Sequence, residues 1–396
     1  MMQISPETQL FIREHSSDDV RALALQAKKY PDIDMPTVIT QIAGRKVAAE
    51  KIPSWWEIEK IWYPKHLSLE QCSSEITARY KARLLQGDSL TDLTGGFGID
   101  CSFLATGFKS ATYVERQEEL CEIAAHNFPV LNLNHINIKN EDGVTYLQAM
   151  SPVDCLLLDP ARRNEHGGKT VAISDCEPNV AELEELLLQK ANRVMIKLSP
   201  MLDLSLALKE LKQTQEVHIL SVNNECKELL ILLGQTSPTE ISIHCVNLST
   251  KGTQEEQHFV FTREQEQCSE CTYTDSLETY LYEPNASLLK AGAFRSIAAA
   301  YPVRKLHPNS HLYTSDTFIE NFPGRIFRIV NQCSFNKKEV KENLADLKKA
   351  NVTVRNFPAT VAELRKRIHL AEGGDTYLFA STLNNGQKVL IRCEKV

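Results

Sequence analysis

The chain has 396 residues, of which 42% are hydrophobic and 24% charged, and a net charge of −7. That length accommodates two or three domains, and the composition is that of a globular protein, which excludes fibrous and disordered classes. No apolar run reaches the ~18 residues of a membrane span, and the opening MMQISPETQLFIREH lacks a basic region followed by an apolar one; a cytoplasmic protein with no membrane partner is expected.

Residues 1–88 read as a helical region. Start signals stand at Ser5-Pro6, Ser16-Ser17-Asp18-Asp19 and Met35-Pro36, and Val20, Leu23, Leu25 and Val38, Ile42, Val47 keep a spacing near 3.6. The aromatic stretch Trp55-Trp56-Glu57-Ile58 to Tyr63-Pro64 is expected to pack on a core, the alternative being a stacking platform for a nucleobase. A last helix is expected over Leu67–Leu85, amphipathic, with Ser74, Thr77 and Lys81 along it.

Residues 89–235 alternate strand and helix, the pattern of a doubly wound parallel sheet. Strands are expected at Ser89–Leu93, Ala111–Val114, Ile136–Ile138, Asp154–Leu158, Arg193–Lys197, Glu216–Val222 and Leu229–Leu233. In such sheets ligands sit at the carboxyl ends of the strands. The first strand runs into LTDLTGGFGID (Leu90–Asp100), where Gly95, Gly96 and Gly98 permit a tight bend whose N–H groups, backed by a helix N-terminus, can face a polar ligand. A dinucleotide loop needs G-x-G-x-x-G, and the register from Gly96 puts Cys101 at the third glycine, which disfavours NAD. Asp92 closes the strand, and Glu115 closes the second strand 23 positions later, where a carboxylate can accept both hydroxyls of a ribose. An ordinary tight turn and a solvated strand end are the plainer alternatives.

Asp92, Thr94, Gly95, Gly96 and Gly98 together resemble motif I of class I (Rossmann-like) S-adenosylmethionine-dependent methyltransferases, D/E-x-G-x-G-x-G, with Thr94 in place of its first glycine. The variant is similar to that of small-subunit ribosomal RNA guanine methyltransferases. The resemblance implies S-adenosyl-L-methionine as cofactor, a seven-stranded core whose last strand inserts antiparallel, and Ser74, Thr77 and Lys81 near the methionine end of the cofactor. It also implies Asp142, in Glu141-Asp142-Gly143 after the third strand, as acceptor for the adenine amino group; a D-G turn explains the same residues. After the fourth strand, Asp159-Pro160-Ala161-Arg162 resembles motif IV of amino-group methyltransferases, D/N-P-P-aromatic, in which the Asp carboxylate and Pro carbonyl align an exocyclic amine. Ala161 and Arg162 depart from it. D-P-x-R also occurs in uridine carbon-5 methyltransferases, but these need a cysteine after the fifth strand, and Ile196-Lys197-Leu198-Ser199-Pro200 has none. Asp159, Pro160 and Arg162 are the catalytic candidates. The polar Asn164–Lys169 is expected to form a loop over the substrate, and Lys227, with Glu225 in the same connection, or Arg162, either touches phosphate or is a surface charge.

Beyond 235 strands are expected at Glu240–Leu248 and Gln257–Thr262 and a helix from Pro284-Asn285-Ala286 to Ala300, making 236–323 a small α+β region. Eleven scattered cysteines fit free thiols, and Cys268-x-x-Cys271 has no second pair to complete a zinc site, so no metal is expected. From Arg325 to Val396 there are 14 Lys+Arg against 7 Asp+Glu, a basic end on an acidic body that suggests an anionic partner. The order β-α-β-α-β-β over 324–396, with Arg355–Pro358 and Ala362–Ile368, resembles a THUMP-like domain. THUMP domains accompany RNA-modifying enzymes, so the resemblance implies methylation of an RNA base (tRNA or rRNA), an amino group being the favoured target. A methyltransferase of small molecules or proteins, and an RNA-binding protein without catalysis, are the rival readings.

Overall fold

The computed structural model of the protein describes residues 4–162, 172–236, 238–250 and 256–396. The chain forms two compact units, Met1–Gln215 with Leu229–Thr239, and Glu216–Glu228 with Glu240–Val396.

The first unit opens with helices whose starts are set by side-chain caps. Ser5, Asp19 and Asp34 accept first-turn N–H groups of α1 (Pro6–Glu14), α2 (Val20–Leu25) and α3 (Met35–Lys51), donors that a helix N-terminus otherwise leaves without partners. Phe11, Leu23, Met35, Val38 and Ile42 form a small core among them. After α4 (Pro53–Trp56), the chain runs so close to α3 that a Cβ on Gly44 would lie 2.3 Å from Tyr63 Cβ. Trp55, Ile61 and Tyr63 pack with Phe97 and Ile99, so this stretch is core, although Trp56 is 42% exposed.

The single helix expected over Leu67–Leu85 is in fact two, α5 (His66–Gln71) and α6 (Glu75–Ala82), separated by extended residues at Cys72 and Ser74. The break carries the Ser73 hydroxyl to a buried carboxylate, Asp100 Oδ2, at 2.7 Å. A hydrogen bond to a charged group, worth about 1.5–3 kcal/mol, offsets the interrupted turn.

Strands β1 (Ser89–Asp92), β2 (Ser110–Glu115), β3 (Ile136–Asn140), β4 (Val153–Leu158) and β5 (Ala191–Leu198) are parallel. They are linked by α7 (Ile99–Ala105), α8 (Glu118–Val130), α9 (Gly143–Ala149) and α10 (Val180–Lys190). After α11 (Leu204–Glu210), a two-residue connection, Asn223–Asn224, joins β6 (Thr214–Val222) to β7 (Glu225–Gly234). β7 lies antiparallel to β5, as the methyltransferase resemblance implies. The order β3-β2-β1-β4-β5-β7 changes direction between β1 and β4, where open α/β sheets leave a crevice.

In the second unit, Glu216–Val222 of β6 pairs in parallel with β8 (Ser242–Leu248), itself antiparallel to β9 (Glu256–Thr262). α12 (Arg263–Cys268), β10 (Tyr280–Pro284), α13 (Ala286–Ala291), α14 (Ser296–Ala300), β11 (Arg304–Lys305) and β12 (Tyr313–Ser315) follow. Then come β13 (Gly324–Ser334), α15 (Lys337–Leu344), β14 (Asn351–Val354), α16 (Val361–Ile368), β15 (Thr376–Thr382) and β16 (Lys388–Lys395). The one helix expected from Pro284 to Ala300 ends early at Gly292, whose φ of +77° suits a left-handed helix cap. β10 pairs antiparallel with β13, so 236–323 and 324–396 contribute to one sheet of order β11-β12-β10-β13-β16-β15-β14. Glu283, 1% exposed on β10, accepts from Arg325 Nε at 2.9 Å and from Arg355 Nη2 at 3.0 Å, which ties that sheet across three segments.

Gly44→Ala is expected to lower stability by about 1–2 kcal/mol, because overpacking against Tyr63 exceeds the gain in helix propensity. A urea midpoint at or above that of the parent would contradict this packing.

Candidate functional site

The glycine loop is shaped from beneath by one aromatic ring. A Cβ on Gly95 would lie 2.2 Å from Tyr113 Cε2, and the Tyr113 hydroxyl donates to Gly96 O at 2.5 Å. Gly96 and Gly98 have φ of +55° and +85°, a region costly for residues with a Cβ. Above Gly96 the backbone is open: an added Cβ would meet only Thr94 O, at 3.8 Å. Glu115, 8% exposed at the end of β2, accepts from Gly96 N at 2.9 Å through Oε2 and from Gln117 N at 2.8 Å through Oε1. The carboxylate is thus fixed against the loop by backbone donors on both oxygens.

Thr94 joins β1 to β4 across the crevice. Its Oγ1 accepts from Asp159 N at 2.6 Å, and its own N–H donates to Asp92 Oδ1 at 3.0 Å. A glycine there has no atom to hold Asp159. Asp92 is 2% exposed. Burial pushes its carboxyl up to about 7, only partly opposed by the Thr94 N–H, and nearby Asp100 adds to the rise.

Behind these carboxylates lies a chain of buried charges. Asp100, in the first turn of α7, pairs with Lys81 Nζ of α6 at 2.8 Å and with Lys197 Nζ of β5 at 3.0 Å. Lys197 also pairs with Asp159 Oδ2 at 2.7 Å. Ser73 Oγ, which donates to Asp100, accepts from Lys81 at 2.6 Å and Lys197 at 3.0 Å. The Lys81 side chain is wholly buried and that of Lys197 9% exposed. Burial alone would raise the Asp100 carboxyl; Lys197 and Lys81 instead hold it well below the usual range. Enclosure raises the Asp159 carboxyl, Lys197 opposes, and the 42% of its side chain open to solvent limits the rise. The arrangement offers one accessible carboxylate, held at the carboxyl end of β4 and backed by an ammonium.

Residues 280–323 match a ferredoxin-like domain model and residues 324–395 a THUMP domain-like model. A crystal structure described as a "putative methyltransferase" from Porphyromonas gingivalis W83 is 34% identical, covers 100% of both chains, and superposes with a TM-score of 0.88. The chain belongs to that methyltransferase family. An rRNA methylase from Streptococcus thermophilus aligns with 40% of this chain and 93% of its own, at 14% identity and a TM-score of 0.30. Protein SMU.1697c from Streptococcus mutans, a "putative methyltransferase" in complex with SAH, aligns with 40% and 96%, at 13% and 0.30. No curated protein matches.

In this methyltransferase the residues singled out from sequence fall into three groups. Asp92, Thr94, Gly95, Gly96, Gly98, Glu115, Asp159 and the buried Pro160 gather at the carboxyl ends of β1, β2 and β4. Thr77 and Lys81 are buried in α6, Thr77 donating to Ser74 O at 3.0 Å, so Lys81 reaches the crevice by way of Asp100. Asp142 caps α9 through Oδ1, which accepts from Val144 N and Thr145 N at 3.0 Å each. Lys227 pairs with Glu225 at 2.7 Å on the surface of the second unit. The backbone of Ala161–Arg162 pairs with Cys176–Glu177, while the Arg162 side chain and Asn164–Lys169 lie outside the described residues. Ser73, Asp100 and Lys197 are the members that sequence reasoning passed over. A lysine after the apolar run Val194–Ile196 near the strand's end and an aspartate two residues past the last glycine of the bend were the available signals.

Two expectations follow from the charges. Asp100→Asn leaves Lys81 and Lys197 without their shared anion and is expected to cost about 3–5 kcal/mol in chemical denaturation; a loss below about 1 kcal/mol would refute the network. Asp92 keeps its proton in the fold up to about pH 7 but ionises near 3.8 when unfolded. The stability it contributes is therefore full below about pH 4 and lost as pH rises through about 7. Asp92→Asn is permanently neutral, so its stability relative to the parent is expected to improve by up to about 4 kcal/mol between pH 4 and pH 8. A difference independent of pH would show that Asp92 is not held protonated.

Proposed function

We propose that the protein is an S-adenosylmethionine-dependent RNA methyltransferase whose cofactor lies over the Gly96 bend and whose substrate amine meets Asp159. The observation that carries the reading is the pairing of open backbone at Gly96 with a carboxylate, Glu115, anchored beside it. The residues present fit a nucleoside. Each Glu115 oxygen carries a backbone hydrogen bond and retains a lone pair for a ribose hydroxyl, and Asp142 Oδ2 stands at the end of β3 for an adenine amino group.

When bound, S-adenosylmethionine supplies a methyl group on a sulfonium, an electrophile with a good leaving group. The chain's own task is alignment. The Asp159 carboxylate accepts an N–H of an exocyclic amine, with the Pro160 carbonyl as second acceptor, so the nitrogen lone pair faces the crevice. Lys197 opposes the protonation of Asp159 that enclosure favours, and Thr94 fixes its backbone. The raised carboxyl suits it to receive the proton shed on alkylation.

RNA as substrate is supported by the second unit. Lys337, Lys338 and Lys341 of α15 and Lys366 and Arg367 of α16 are exposed, a footprint suited to phosphates. Arg365 on the same helix is half-buried near Glu372 and less available.

Glu115→Ala is expected to weaken S-adenosylmethionine binding by roughly a hundredfold in calorimetry, from about 3 kcal/mol of lost hydrogen bonding. Labelled methyl transfer to total RNA is expected with the parent and lost with Asp159→Ala. Equal labelling by both would clear Asp159, and label only in small molecules or protein would replace RNA as substrate.

A further inference from the structure

The second unit carries a cluster of histidines with no part in the chemistry above. Three neighbouring strands contribute to it, all on one face. On β6, Glu216 and His218 are two residues apart; on β8, Ser242 and His244; on β9, Glu256 and His258. Successive same-face positions in a strand are two residues apart, and the register sets His244 directly beside His218. Across the antiparallel pair, His244 faces Val260 and Val246 faces His258, which puts His258 diagonally next to His244.

From this geometry we infer that Glu216, His218 and His244 form a site for a divalent transition metal such as zinc or cobalt. One ligand atom from each lies within 4.8 Å of the others. Glu216 Oε2 and His218 Nε2 are 3.2 Å apart, close to the ~3.3 Å between neighbouring ligands of a tetrahedral ion with bonds near 2.0 Å. The proton shared there is the one a metal replaces. Imidazole and carboxylate together favour zinc and its neighbours over calcium or magnesium.

The surroundings supply the outer support that metal-bound histidines require. His244 Nδ1 is 3.1 Å from His258 Nε2, and His258 Nδ1 is 4.0 Å from Glu256 Oε1. With the carboxylate drawing a proton to His258 Nδ1, His258 Nε2 accepts and His244 Nδ1 donates. That leaves the lone pair on His244 Nε2, at 3.1 Å from the Ser242 hydroxyl. The His218 and His244 rings are stacked with centroids 4.3 Å apart and planes at 19°, and His244 is half-buried. His218 is 2% exposed.

The test uses cobalt as the metal alone, added to the full reduced chain. Cobalt reports its ligands: nitrogen and oxygen give visible bands without thiolate charge transfer, whereas the eleven cysteines would produce that transfer in the near ultraviolet. One equivalent bound without thiolate bands is expected, displaced by zinc. His244→Ala is expected to abolish it, and His258→Ala, which touches only the outer support, to weaken it ten- to a hundredfold. Since His218→Ala removes a buried side chain, the half-exposed Glu216→Gln serves as the second ligand variant, with circular dichroism to establish folding. Folded His244→Ala that binds as tightly as the parent, thiolate bands alone, or no binding at millimolar cobalt would each overturn the site.

Discussion

A carboxylate held between two ammonium groups governs the rest of the first unit. Asp100 lies between Lys81 and Lys197, and through them joins the helical N-terminal region, the helix after the glycine bend and the carboxyl end of β5. Burying each charge costs several kcal/mol, recovered only when every partner is present with good geometry. Such a network is therefore a condition of assembly more than a source of stability. α6 has one position in which the Lys81 ammonium, fully buried, meets its anion, and the break at Ser73 follows from the need for a further polar partner.

The aromatic packing serves the same end. Trp55 meets the Phe97 ring edge-on at 5.2 Å, and Tyr113 lies beneath Gly95 while bonding Gly96 O. The bend is held from one side by N-terminal aromatics and from below by β2, so the open backbone at Gly96 is a rigid surface. Preorganisation of this kind limits what a ligand must order on arrival.

Much of this was legible in the chain because it depends on local chemistry. Apolar runs followed by Asp92, Glu115 and Asp159 mark strand ends, and closely spaced glycines mark a bend, whatever surrounds them. What escaped depends on residues far apart in sequence. Ser73, Asp100 and Lys197 span 124 positions, and nothing local distinguishes a lysine that will be buried from one that will be solvated. The helix split at Cys72–Ser74 escaped for a similar reason: amphipathic spacing continues across the break and only tertiary bonding stops the helix, whereas the split at Gly292 follows a local glycine cap. The three histidine-bearing strands lack a compact spacing, so no motif announced them.

The chain's route between its units has one more effect. Glu216–Glu228 belongs with the later residues although Leu229–Thr239 returns to the earlier ones. A fragment cut after residue 239 would retain β6 but lose β8, its parallel neighbour. Val217, Ile219, Leu220 and Val222 would then line a bare edge ready to recruit another polypeptide. The N-terminal half is thus no detachable bead, and gene fusions or proteolytic trimming must respect the chain's path.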